Sequence, residues 1–476
     1  MLSRPKRGIK INKIPKPEII MIGCVFLIYL FWAASLPIDQ APDEYMRFPL
    51  SLYIQQFGTL PVGDDILIRN EIWGTSYAFS PYGSTLLATP FLFITSLFTT
   101  DISIWLFSVR LVSVLCGTGT VALCLLIGRR VFSLPATRFL FACLIAFLPQ
   151  FVFLSSYFNC DTFAFFSTAM IFYSWVRGLD TEWDKQSCLW LGIGVGLCLM
   201  SYFNAYGFVL ASILLFVGSL ISKKTPAYPG KKTIDLKKAM YKLCLVILPV
   251  IIIAGWFFIR NFFLYDGDFL GIDASRNASE MYALPEFKPS NRSTYSNQGL
   301  TVVDMITDHE FAWVKSSIKS FVGTFSYMNV ILPYKLYYAY FGMFAVFLIA
   351  AVYCCITVEK GKRLFIVCCI LCICIPVILS LYYSYSSDYQ AQGRYIMTMI
   401  VPFFFLISSG VEKIVKKTTG DKRSGIIIYL IAAIYISLFC IVIFTTILPE
   451  CVGQVFDIYP RAIYEGSSSL KISFVY

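Results

Sequence analysis

Acidic residues at the ends of long apolar runs are where this chain could do chemistry. The first such run ends in Pro37-Ile38-Asp39-Gln40-Ala41-Pro42-Asp43-Glu44. Pro42 biases Ala41 toward an extended backbone, which places Asp43 to cap a helix over 45–56 with Glu44 in its first turn. The same carboxylates, partly desolvated at a membrane surface, could instead take a proton from an attacking hydroxyl. A third acid stands in Tyr157-Phe158-Asn159-Cys160-Asp161, between two apolar runs. Asp161 either caps the helix that follows or converges with Asp43 on one face.

Cations near those acids are sparse. Arg260-Asn261 closes one apolar run, Gln392-Gly393-Arg394-Tyr395 opens another, and Arg110 falls within the outer half of a third. A charge at membrane depth is costly enough to suggest a functional role. The structural alternative for Arg260 and Arg394 is snorkelling of the head group to the lipid surface. Arginines at one depth beside carboxylates suit a phosphate, whose oxygens the guanidinium fork grips in pairs.

Other features are discounted. The one histidine, His309, stands in a polar loop, so histidine-rich metal sites and Ser-His-Asp chemistry are excluded. Cys368, Cys369, Cys372 and Cys374 share one apolar run with no His or carboxylate beside them and read as small buried side chains. Gly192, Gly194 and Gly196 read as helix-packing positions. Asn277-Ala-Ser and Asn291-Arg-Ser match acceptor sequons that matter only in a eukaryotic secretory setting. No Walker or Rossmann pattern is present.

The elements that must hold these residues are membrane helices. Hydrophobic residues make up 58% of 476 and charged residues 14%, against roughly a quarter charged in soluble domains. Eleven spans are expected, at 18–38, 102–128, 134–156, 162–177, 188–203, 205–222, 240–262, 338–358, 363–382, 395–413 and 425–447. The stretch 83–100 is expected to lie at the external interface without crossing. That choice makes the charges agree: inner segments hold 26 Lys+Arg and 8 Asp+Glu, and the remainder 13 and 20. The net +11 then reflects topology and anionic lipid, not nucleic acid. The apolar run after the basic N-terminus reads as a signal anchor.

The ordered set APDEYMRF, SPYGSTLLATPF, YFNCDTFAF, WFFIRNFFLYDGDFLG, KSFVGTFSYMNVILP and QGRYIMTMIVPFF, over about residues 20–415, resembles a family of bacterial multipass membrane proteins of unassigned function. That family resembles the GT-C glycosyltransferases. The resemblance implies an acidic residue of the first external loop as base, a polyprenyl-phosphate sugar donor, and basic residues holding its phosphate. Relatives commonly carry a histidine shortly after the PDE element, where this chain has Tyr45-Met46-Arg47, and often a basic residue where it has Asn204.

The expected fold is therefore an all-α polytopic membrane protein, GT-C-like, with about eleven transmembrane helices and interfacial helices on the external face. A basic cytoplasmic segment (1–18) precedes a transmembrane module (19–262) holding the first external loop (39–101). A second external loop (263–337), C-terminal helices (338–447) and an external tail (448–476) follow. The expected catalytic residues are Asp43, Glu44 and Asp161. Substrate or phosphate contacts are expected from Arg260, Asn261, Arg394 and Gln392, and from Tyr395, Arg110 and Asn159. No metal or other cofactor is expected. The expected partners are a polyprenyl-phosphate-linked sugar, a glycan acceptor and membrane lipids, with no nucleic acid. The expected activity is inverting sugar transfer on the outer face of a bacterial cytoplasmic membrane, with the N-terminus inside and the C-terminus outside. A flippase, exporter or polymerase for lipid-linked saccharides is the alternative.

Overall fold

The computed structural model describes residues 15–37, 40–221, 235–310 and 312–452. Seventeen α-helices follow in chain order. The first nine are α1 (Lys16–Ser35), α2 (Glu44–Phe57), α3 (Gly83–Ser96), α4 (Ile102–Val131), α5 (Pro135–Ala146), α6 (Pro149–Leu154), α7 (Asp161–Thr181), α8 (Lys185–Leu199) and α9 (Gly207–Ile221). Then come α10 (Leu236–Val250), α11 (Trp256–Leu264), α12 (Ile272–Tyr282), α13 (Val302–Thr307), α14 (Trp313–Gly323), α15 (Tyr334–Ile356), α16 (Arg363–Ser386) and α17 (Ile400–Val442). Between α14 and α15 a two-residue hairpin pairs β1 (Thr324–Phe325) with β2 (Val330–Ile331).

Among the described residues, eight helices are long and apolar enough to cross a membrane. The chain is a multi-pass membrane protein. The three further crossings expected from sequence correspond to α5 with α6, α7 and α8, which fall outside that set. The single span expected at 134–156 is broken, because Pro149 offers no N–H and drives Leu148 to an extended backbone (ψ 120°). The connector expected at 412–424 is helical except at Gly420, whose φ of 72° bends α17 into two crossing segments. Within the span expected at 240–262, Pro249 withdraws an N–H and the ladder slips to a π-turn over Ile251–Gly255.

α3 has 14 residues, about 21 Å of helix, short of the ~30 Å hydrocarbon core. Its first N–H donates to the Met200 carbonyl at the end of α8, and Ser96 near its end meets Gln55 of α2. The segment expected as the second external loop (263–337) is folded, not a plain loop: it holds α12, α13, α14 and the hairpin, with α14 seated against the run before α17. Close helix approach is visible at Gly192, where a Cβ would stand 2.4 Å from the Val246 carbonyl of α10.

The two ends of the bundle differ in charge. At one end Arg129 bonds Glu18 (2.6 Å), Arg130 pairs with Asp180 (3.4 Å) and Lys416 reaches Ser133 (2.5 Å). The opposite end carries the two long segments and the converging acids. If the basic end is cytoplasmic, a cysteine at Gln298 reacts with an impermeant thiol reagent in intact cells, above the wild-type background, and one at Lys360 does not. The reverse labelling would turn the molecule over.

Candidate functional site

The site is built around the start of α2. Glu44 is fully buried and takes a fork from Arg110 of α4: Nε to Oε1 at 2.8 Å and Nη2 to Oε2 at 2.5 Å. The remaining donors of Arg110 go to the carbonyls of Ala33 (3.0 Å), Leu36 (2.5 Å) and Pro37 (3.5 Å) at the end of α1. An arginine has five N–H donors, and all are spent. Glu44 also accepts the Phe158 N–H at 2.8 Å. Glu44 and Arg110, expected as a catalytic residue and a phosphate contact, are thus engaged with each other and with the backbone, the geometry of a structural lock.

Asp43 does not cap α2. Its backbone is left-handed (φ 65°), and no N–H of the helix bonds its side chain. A strained non-glycine residue at a site costs on the order of 1 kcal/mol. From there the carboxylate meets Arg394, with Nη2 2.7 Å from Oδ2. Burial alone would raise the Asp43 pKa. The charges of Arg394 and Arg47 and hydrogen bonds from Arg394 and Tyr77 outweigh it and hold the carboxyl below its ordinary value. The pair is thus intact above that range and is lost only as pH falls through the depressed pKa.

Arg394 lies in a 3-10 run, Gly393–Met399, between α16 and α17. The run is seated against α14: the Gly393 N–H donates to Ser320 Oγ at 2.5 Å, and a Cβ there would stand 2.1 Å from the Phe321 nitrogen. Only glycine allows that approach. Asn204, at the kink between α8 and α9, bonds the Tyr395 carbonyl at 3.0 Å and ties the run to the other side. Arg394 is 7% exposed, and its Nε has no partner among the described residues.

Asp161 starts α7 and is 4% exposed. Its capping role is taken by Asn159, whose Oδ1 accepts the Thr162 N–H at 3.1 Å while its Nδ2 donates to the carbonyls of Leu154 and Tyr157. Asn159, expected as a substrate contact, thus spends its amide on the hairpin. Asp161 is left facing Arg394, Arg47 and Asp43. Gln392 lines a small cleft with Arg394, Tyr157, Gln150 and Ser326. Ser326 and Met328, in the hairpin turn beside that cleft, hold positive φ values of 54° and 69°.

Arg260 and Asn261 stand elsewhere and hold the segment between α2 and α3. Arg260 Nη2 donates to the carbonyls of Leu60 (3.2 Å) and Pro61 (2.8 Å), and Asn261 Nδ2 to that of Phe79 (3.2 Å). Arg260 and Asn261, expected as phosphate contacts, thus bond the backbone of this segment, while Arg260 Nη1 has no partner among the described residues.

The residue that sequence reasoning missed is Arg47. It is 7% exposed, stacks over Tyr77 at 4.1 Å and has an Nε without a partner among the described residues. It faces both Asp43 and Asp161. The signal was present, since Arg47 stands four residues after Asp43 and so on the same side of α2.

The bundle with this polar mouth has an all-α, GT-C-like membrane fold. It is similar to ArnT from Cupriavidus metallidurans bound to undecaprenyl phosphate, with a TM-score of 0.50 and 11% identity over 93% of this chain and 75% of that one. The Archaeoglobus fulgidus oligosaccharyltransferase in the apo form gives a TM-score of 0.47 and 13% identity over 89% of this chain. The AglB complex from that organism with an inhibitory peptide and a dolichol-phosphate gives 0.45 and 15% over 89% of this chain. This chain covers 55% of either archaeal protein. No curated protein sequence matches it. Residues 69–404 match the family described as "Predicted membrane protein (DUF2142)", and the chain belongs to that family. The match takes in Tyr77, Asp161 and Arg394, whereas Asp43, Glu44 and Arg47 precede it.

Removing one partner of a buried ion pair leaves the other uncompensated, at a cost of roughly 3–5 kcal/mol. Glu44→Gln is therefore expected to lower the unfolding temperature of the purified protein sharply, and Asp43→Asn, whose side chain is 25% exposed against 0% for Glu44, to lower it by less. Equal, small shifts for both would refute the assignment of lock and site.

Proposed function

We propose that this protein is an inverting membrane glycosyltransferase that uses a polyprenyl-phosphate sugar on the external face of a bacterial cytoplasmic membrane. The observation that carries the reading is the Asp43–Arg394 pair, flanked by Arg47 and Asp161. A hydroxyl of a surface glycan or lipid-linked acceptor attacks C1 of the sugar. The new C1–O bond forms as the C1–O bond to phosphate breaks, polyprenyl phosphate departs, and the hydroxyl proton goes to Asp43. Arg394 and Arg47 neutralise the charge that develops on the phosphate. ArnT, whose fold this chain shares, was solved with undecaprenyl phosphate, and that ligand class is carried over here as part of the proposal.

Donor binding and base strength are coupled in this scheme. A phosphate engaging Arg394 draws its donors away from Asp43. The Asp43 pKa, held down chiefly by that charge once burial is set against it, then rises, and the carboxylate becomes a better base as the donor arrives.

Transfer from synthetic polyprenyl-phosphate sugars to a panel of glycan acceptors tests this reading. Asp43→Asn should lower transfer by about 10²–10⁴-fold while retaining lipid binding. Arg394→Ala should cost about tenfold or more, with Arg394→Lys recovering part because the fork is lost. Arg260→Ala should leave donor use near wild type once stability is matched. Normal transfer by Asp43→Asn would end the base assignment.

A further inference from the structure

We propose that Asp388, in the segment joining α16 to the 3-10 run, is a positioning residue that aims Arg394 at Asp43 through Gln390 and Tyr395. The contacts are continuous. Gln390 Nε2 donates to Asp388 Oδ2 at 2.6 Å, the Tyr395 hydroxyl donates to Gln390 Oε1, Arg394 Nη2 donates to the Tyr395 hydroxyl at 2.9 Å, and the same Nη2 meets Asp43 Oδ2 at 2.7 Å.

Direction along this chain is set by chemistry at its far end. An ionised carboxylate only accepts hydrogen bonds, so Gln390 must turn its NH₂ toward Asp388. Its carbonyl then faces Tyr395 and takes the phenolic proton. With that proton committed, the Tyr395 oxygen offers lone pairs to Arg394 and does not compete with it for Asp43. One N–H of Nη2 is held by Tyr395 and the other is left for Asp43.

The segment is well anchored. The Ser384 hydroxyl of α16 donates to the Gln390 carbonyl at 3.1 Å and accepts Trp313 Nε1 of α14 at 3.0 Å. Ala391 packs with Trp313, Tyr295 and Met305. Arg292 and Tyr383 are the charged and titratable groups beside Asp388. Asp43 itself faces Arg394, Arg47, Tyr77, Asp161, Tyr157, Tyr395, Cys160 and Tyr383, the last of which also faces Asp388.

The inference rests on reading Asp43 and Arg394 as the reacting pair, but its test needs no substrate. Infrared titration of the purified full chain follows protonated carboxyl absorption, and the band absent from Asp43→Asn reports Asp43. Weaker aim of Arg394 should raise the midpoint of that band. Asp388→Asn and Tyr395→Phe should each raise it by about one pH unit, the mark of a roughly tenfold weaker hold on the ionised form. The double variant should go no further than Tyr395→Phe alone, because Asp388 acts through Tyr395. If Asp388→Asn does not fold, Gln390→Met, which removes both amide bonds, should give the same rise. An unchanged midpoint in the folded single variant, or a full additional shift in the double variant, overturns the proposal. Failure of sugar transfer with a normal titration result would instead count against the transferase reading alone.

Discussion

The buried pair of Glu44 and Arg110 is the constraint on which the rest of the site depends. The last carbonyls of any helix lack partners within it. Here those of Ala33 and Leu36 are met by Arg110, which thereby fixes where α1 stops. The same guanidinium holds the first residue of α2, and Glu44 in turn takes the Phe158 N–H of the hairpin before α7. Four chain segments converge on one ion pair. A buried pair is weak ground for net stability, since desolvation offsets much of its attraction, but breaking it is costly. Its consequence here is placement: with Glu44 turned toward α4, the carboxylate of the preceding residue is free to face the opposite side.

That opposite side is balanced electrostatically. Arg47 and Arg394 face Asp43 and Asp161, and the two arginines are nearly buried. Each arginine keeps an Nε without a partner among the described residues, although buried polar atoms are nearly always paired. Donors of this kind suit a ligand that brings acceptor oxygens. Lipid phosphate has that chemistry, and under the proposed function the pair of Asp43 with Arg394 would give its arrival a consequence for proton transfer.

How much of this was legible in the sequence follows from what each residue needs to be recognised. Asp43, Asp161 and Arg394 stand at the ends of apolar runs, and alternate run ends return to the same membrane face whatever the packing. The expected membrane fold was legible for the same reason. The partners of Arg110, Asn159, Arg260 and Asn261 were not legible, because they are backbone carbonyls or a distant acid. Arg110 meets Glu44 across 66 residues, and no local pattern records that. Local chemistry did carry signals that went unused: Pro149 announces the break between α5 and α6, and the four-residue step from Asp43 to Arg47 puts both on one side of α2. The link from Asp388 through Gln390 to Tyr395 spans few residues, yet it depends on an irregular backbone that periodicity does not describe.

The most direct measurement is a structure of the protein in a lipid bilayer with a polyprenyl monophosphate bound. The account predicts phosphate oxygens within hydrogen-bond distance of the Arg394 guanidinium, with the Asp43 carboxylate released from it and facing the same space. A phosphate seated against Arg260 or elsewhere, with the Asp43–Arg394 pair intact, would contradict it.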